Sequence, residues 1–232
     1  MSFTEHPLRT VLTAEMNARP HAEVTSPAQV SHIAVVTGEE SADADREHLE
    51  KLCQAFKVSA PSGSSSQFDA DFGPFRLKWE RHTEFSAYTL IKEGPFEQPF
   101  KNAPITEVPS DWLDNLPGQV LTALHIAIES DDAPTREGPA LSGLFDNNSI
   151  VGGEVVDERA VMYSDFQTHS DGHLRFLVRD CKLSKGSLGR LVKRICEMET
   201  YRMMAMLALP PARKARPEIA NLEQQLSDIL QT

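Results

Sequence analysis

The chain has 232 residues, 40% hydrophobic and 25% charged, with a net charge of −11 at pH 7. A chain of this length buries a core, its composition excludes global disorder, and its acidity excludes generic nucleic-acid binding. Cys53, Cys181 and Cys196 are odd in number and lack CxxC spacing, which fits a reducing compartment and no disulfide framework.

The opening MSFTEHPLRT lacks the basic-then-apolar pattern of a secretory signal. Leu8, Val11, Leu12 and Met16 recur at helical spacing up to Arg19-Pro20, so a helix is expected over 8–18. QVSHIAVVTG (29–38) is a short β-branched apolar run closed by Gly38 and reads as a buried strand. Ser41 is placed to cap the next helix, where Asp43 and Asp45 favour the helix start and Leu49, Leu52, Cys53 and Phe56 make one stripe. SAPSGSSSQ (59–67) has the composition of a flexible loop.

FGPFRLKWERH and EFSAYTLIKEG alternate large apolar with polar residues and predict a hairpin. Five prolines between Gly94 and Gly118 exclude a central strand there, although Ser110 is placed to cap a short helical turn carrying Trp112 and Leu113. QVLTALHIAIES (119–130) fits strand or helix, and its β-branched end with flanking Pro and Gly favours strand. SIVGGEVV, AVMYSDFQTH and HLRFLVRD then predict a meander, with Gly152-Gly153 as a bulge or turn.

Ser184 or Ser187 caps a final long helix in which Leu188, Leu191, Val192, Ile195, Met198 and Leu209 keep 3/4 spacing. Met203, Met204 and Leu207 add a second apolar face, so this helix is expected to be buried on two sides. The charge-free run Met203 to Ala212 is too short to span a bilayer and contains Pro210-Pro211, which should break the chain. Pro217 suits the first turn of a new helix, and Ile219, Leu222, Leu226 and Ile229 follow the spacing of a heptad seam. No stop signal closes these heptads before Thr232, so the sequence is expected to be the front portion of something longer.

Charge is unevenly spread. Between Arg175 and Arg216 eleven Lys/Arg face three acids, a net of +8 that leaves −19 on the rest. Within that window Lys182, Lys185, Arg190 and Lys193 cluster about a helix start, where backbone N–H groups attract phosphate, making them candidate anion-binding residues. The spacing is not that of a phosphate-binding loop, and the plainer reading is a capped helix with a solvated basic first turn. Two His/acid groups are candidates for proton transfer or metal binding. YSDFQTHSDGH puts Asp165, Gln167, His169, Asp171 and His173 on one face of an unbroken strand, and WERHTEF does the same for Glu80, His82 and Glu84, with His125 on a third strand. Asp171-Gly172 is also a turn signal, and a one-residue slip of register would scatter these groups. With no HExxH-like spacing, no bound metal and no cofactor is expected. Cys53 and Cys196 sit on apolar helix stripes and read as inert.

HPLRTVLTAEMNARP, VSHIAVVTGE, LKWERHTEFSAYTL, SDFQTHSDGHLRFLVRD and GRLVKRICEMETYRMMAMLALPPAR occur in the order typical of one bacterial family. On these segments the chain resembles the domain of unknown function 3422 family, described as predicted membrane-anchored proteins. The resemblance implies a soluble α/β domain followed by long helices and membrane segments, and it carries no reaction and no catalytic residue.

The fold expected is therefore α+β: a mixed, mainly antiparallel sheet of about five to seven strands covered by helices. A domain over 1–209 is followed by the start of a helical stalk over 210–232. The function expected is a non-enzymatic domain on the cytoplasmic face of the inner membrane, acting by self-association through the C-terminal helix and by partner or ligand sensing. The alternatives are a metal-dependent enzyme using the His/Asp groups and a phosphate- or anionic-lipid-binding module.

Overall fold

The computed structural model describes residues 4–11, 13, 20–37 and 42–230. Leu8 lies in a turn, Arg9 to Val11 and Thr13 are helical, and the rest of the helix expected over 8–18 lies outside the described residues, as do Gly38 and the Ser41 cap.

One sheet organises the molecule. Its strands are β1 (Ala28–Val36), β2 (Gln67–Asp71), β3 (Arg76–Arg81), β4 (Phe85–Glu93), β5 (Gln119–Glu129), β6 (Val151–Val155), β7 (Ala160–Ser164) and β8 (Leu174–Asp180). They lie in the order β2-β3-β4-β1-β5-β8-β7-β6. Every neighbouring pair is antiparallel except β5 and β8. The architecture is α+β, and the sheet has eight strands among the described residues rather than the expected five to seven. The added strand is β2, whose QFDAD is mostly polar because it forms an edge and abuts the serine-rich loop.

β1 is central, and it is buried along nearly its whole length, polar Gln29, Ser31 and His32 included, because both faces are covered. On one face, helix α1 (Ala42–Phe56) and the short helix α2 (Ser110–Asp114) pack Leu49, Leu52 and Trp112 onto Ile33, Leu77, Trp79 and Tyr88. Asp45 of α1, fully buried, accepts from Ser86 Oγ at 2.7 Å and pairs with Arg81 at 3.2 Å, which pins α1 to the β3–β4 hairpin. Ser110 does not cap α2: it lies inside the first turn, with Pro109 at the cap position. A further short helix, α3 (Gly138–Ser142), belongs to the β5–β8 crossover.

The other face is crossed by α4 (Lys185–Met206), capped by Ser184, whose side chain accepts from Ser187 N. Leu188, Leu191, Val192 and Ile195 fill a cluster with Val30, Leu124, Ile126 and Phe176. The second apolar face of this helix is buried only in part, with Met203 and Met204 half-buried and Leu207 47% exposed, and Met198, expected in the first stripe, is 45% exposed, because only one side of α4 meets the sheet. The chain turns at Leu207-Ala208, before the prolines, and α5 (Leu209–Leu230) takes Pro210-Pro211 into its first turn and Pro217 into its interior. Proline is tolerated in a first turn, where its missing N–H is not needed. Gly152 makes no bulge either: it lies in β6 directly under the Tyr163 ring, where a side chain would collide.

Candidate functional site

β3 alternates, so Leu77 and Trp79 enter the α1 side while Lys78 and Glu80 point under α4. Lys78 Nζ donates to Glu80 Oε1 at 2.7 Å, and their side chains are only 9% and 12% exposed. Lys78 also donates to the carbonyl of Pro20, so the segment before β1 helps close this side. At the centre of β1, His32 Nδ1 lies 2.9 Å from Thr89 Oγ1 and its Nε2 3.3 Å from Thr200 Oγ1 of α4. Burial, with the nearby His82 and Lys78 charges, lowers His32 to about 3, so it is neutral at physiological pH.

These groups line a cavity between α4 and the sheet of about 40 Å³. That volume holds only about two or three waters. Ala87, Ile91 and Val192 make its apolar wall; Lys193 and Glu197, paired at 3.4 Å, stand at its rim. His82 stacks on Phe85 with centroids 4.1 Å apart, and Tyr201 meets Phe85 edge-on at 5.9 Å, so three rings frame the mouth. An apolar lining with paired charges at one end suits a small amphipathic group. Glu80 is tied to Lys78, which leaves it poorly placed as a general base. Cys196 is buried in the same wall, and burial pushes its thiol up, away from reactivity, as burial also raises Cys53 to about 11.

The second His/acid group lies on the opposite face. β7 stops at Ser164, and residues 165–173 run irregularly through a turn, so the expected five-residue face does not exist. The strand ends before Phe166, which has a φ of 52°, and the Asp171-Gly172 turn, with Gly172 at a φ of 80°, follows further on. The loop nevertheless gathers several of those residues by another route. Asp165 accepts from Asn148 at 2.8 Å and lies 3.0 Å from His169 Nε2, while His169 Nδ1 lies 2.8 Å from Asp146. Burial opposes the Asp165 charge, but hydrogen bonds from Asn148, the Gln167 amide and His169 outweigh it and hold the carboxyl below its ordinary value. Arg175 donates to the Leu144 carbonyl at 2.8 Å, pairs with Asp171 at 3.4 Å and lies 5.3 Å over the Phe100 ring. His125 of β5 stacks on His173 at 4.0 Å and holds Ser31 Oγ at 3.0 Å.

Sequence reasoning thus brought Glu80 and His82 to one mouth, but Glu84 is exposed in the β3–β4 turn. Asp165 and His169 meet; Asp171 joins His173 and Arg175 instead, and Gln167 points to solvent. No single cleft joins the two groups, because the sheet separates them. The four candidate anion-binding cations also diverge. Lys182 lies beside Asp131, Asp132 and Asp180, Lys185 starts α4, Arg190 donates to Ser187 and Lys193 turns to the cavity rim. The α4 start is closed by Ser184 rather than open to an anion. Residues not foreseen are Lys78, Ser31, Asp146 and Asn148. Lys78 was legible, two residues before Glu80 on the same face, whereas Asp146 and Asn148 lie in a loop with no periodicity to read.

A family model described as "Protein of unknown function (DUF3422)" matches residues 4–232. No curated protein and no solved structure matches the chain. Among the described residues no helix is long and apolar enough to cross a membrane.

Proposed function

The chain belongs to the DUF3422 family of proteins of unknown function, and we propose that it is a non-catalytic module that self-associates through α5 and senses a small ligand at the α4 cavity. One observation carries this reading. The helix that walls the cavity runs, after only Leu207-Ala208, into a helix whose Ile219, Leu222 and Leu226 are 53%, 63% and 58% exposed. A helix draws most of its stability from packing its apolar face, so this exposed stripe calls for a partner, and a second copy offers the same stripe. Opening the mouth at Tyr201 and His82 would admit an amphipathic ligand, and any shift of α4 to accommodate it would reorient α5. The same reading takes residues 1–209 as the sensing domain and 210–232 as the base of a stalk. That stalk would lead to membrane segments beyond this chain, with the domain on the cytoplasmic side.

The enzyme alternative is disfavoured by the sheet lying between the two His/acid groups, and the lipid-binding alternative by the divergence of the four cations. The sensing step is tested by filling the cavity as a ligand would. Ala87→Met places a flexible chain inside it, and coupling between sites is typically ~5-fold or more in affinity. The monomer–oligomer midpoint by light scattering should move by that factor in the folded variant. An unchanged midpoint would remove the cavity from the mechanism.

A further inference from the structure

We propose that His125, Asp171 and His173 form a binding site for one divalent transition-metal ion of the zinc class. The inference is independent of the cavity, which lies across the sheet. One donor atom from each of the three residues lies within 4.8 Å of the other two.

The protonation pattern comes from the hydrogen bonds. His173 Nδ1 lies 2.8 Å from the carbonyl oxygen of Asp171. A carbonyl only accepts, so Nδ1 carries the proton and Nε2 keeps its lone pair. That Nε2 is buried and has no hydrogen-bond partner among the described residues. An imidazole whose N–H is anchored by a carbonyl and whose other nitrogen is bare has the arrangement of a metal ligand. His125 Nδ1 lies 3.0 Å from Ser31 Oγ, which also accepts the Ile105 amide at 3.3 Å; the tautomer that donates this bond to Ser31 leaves Nε2 with its lone pair, and that is the tautomer the site uses.

Two imidazoles and one carboxylate favour zinc-class ions over Mg²⁺ or Ca²⁺, and three protein ligands leave a fourth position for water. The stacked rings lie 10° from parallel, so their lone pairs do not yet converge, and the ion would splay the stack. Zn–N bonds of about 2.0–2.1 Å require the donors to close in by about 1 Å. Asp171 is exposed in its turn and can make that movement, whereas His125 is fixed in β5. Arg175, paired with Asp171, orients the carboxylate but opposes the ion's charge, so moderate affinity is expected. Binding would tie the 165–173 loop to the sheet.

The test uses untagged, chelator-stripped full chain titrated with Zn²⁺ by calorimetry, with Mg²⁺ as the control. One Zn²⁺ per chain and no Mg²⁺ binding at the same concentrations are expected, with cobalt substitution giving visible ligand-field bands. His173→Asn and Asp171→Asn should each abolish stoichiometric binding, while His169→Asn leaves it. Ser31→Ala should weaken binding ~10–100-fold. In the wild type, imidazole ¹⁵N spectra should show the His125 and His173 nitrogens shifting on zinc addition, a readout that needs no variant to fold. Absence of wild-type binding, or binding that survives both His173→Asn and Asp171→Asn, would overturn the proposal.

Discussion

Gly189 of α4 lies directly beneath the carbonyl oxygen of Ala22, so close that a Cβ at 189 would overlap it. This contact and the Val24 amide donating to the Lys185 carbonyl at 3.2 Å clamp the helix start under the segment before β1. Gly189→Ala should therefore destabilise by ~1–3 kcal/mol, as overpacking does. Helix propensity alone would gain up to ~1 kcal/mol. Gly186, where a Cβ would meet His21 only at 3.6 Å, should tolerate Ala. Urea midpoints of the two variants separate the cases, and a stabilised Gly189→Ala would remove the clamp.

The buried side of α4 is equally testable. Ile195 is 3% exposed and Met198 45%. Truncating Ile195 to Ala should cost ~2–5 kcal/mol. Met198→Ala should change stability by no more than ~0.5 kcal/mol. Equal losses in chemical denaturation would mean that α4 also packs on its outer side.

Met198 also shows where sequence pattern stops being informative. Spacing placed α4 and its Leu/Ile stripe, because 3.6-residue periodicity reports one covered face, and left the cap open between Ser184 and Ser187, of which the structure uses Ser184. It could not say that the stripe loses its cover at Met198, or that Met203 and Met204 are covered only in part, since that depends on what the rest of the chain leaves uncovered. The hairpin was legible through alternation, and β5 through its β-branched end and flanking Pro and Gly. β2 was not, because an edge strand of QFDAD buries little and carries little pattern. At the sites, Glu80 and His82 were found together, but their separation from His169 and Asp171 depended on which face each strand turned inward. His125 came to rest on His173 through the parallel β5–β8 pairing, a contact between strands distant in sequence that no local pattern encodes.

His32 makes stability pH-dependent. Its folded value of about 3 lies below the ordinary 6.5, so the unfolded chain binds the extra proton between these values. Stability from this residue is complete above pH 6.5 and is lost as pH falls toward 3. The slope is about 1.4 kcal/mol per pH unit, which makes the loss about 2 kcal/mol at pH 5. Lys78 and His82 reinforce the effect, and Thr89 and Thr200 are neutral. In His32→Asn the slope between pH 6 and pH 4.5, from urea unfolding, should fall by about one proton's worth. An identical slope in the variant would place the titration elsewhere.

Association through α5 rests on the heptad spacing of Ile219, Leu222 and Leu226, all exposed; Ile229 continues that spacing, and its side chain lies outside the described residues. α5 leaves α4 at Leu207-Ala208 and packs little against it, so the stripe faces away from its own domain. Two copies would bury the stripes on each other, and closed twofold symmetry makes a dimer the expected product. Leu222→Glu with Leu226→Glu places charges where the seams meet, and burying each unpaired would cost several kcal/mol. The double variant should be monomeric across micromolar concentrations, while circular dichroism and the urea midpoint of the sheet domain stay unchanged because neither residue touches its core. Light scattering that gives the same mass for wild type and variant over that range would show that α5 does not hold the copies together.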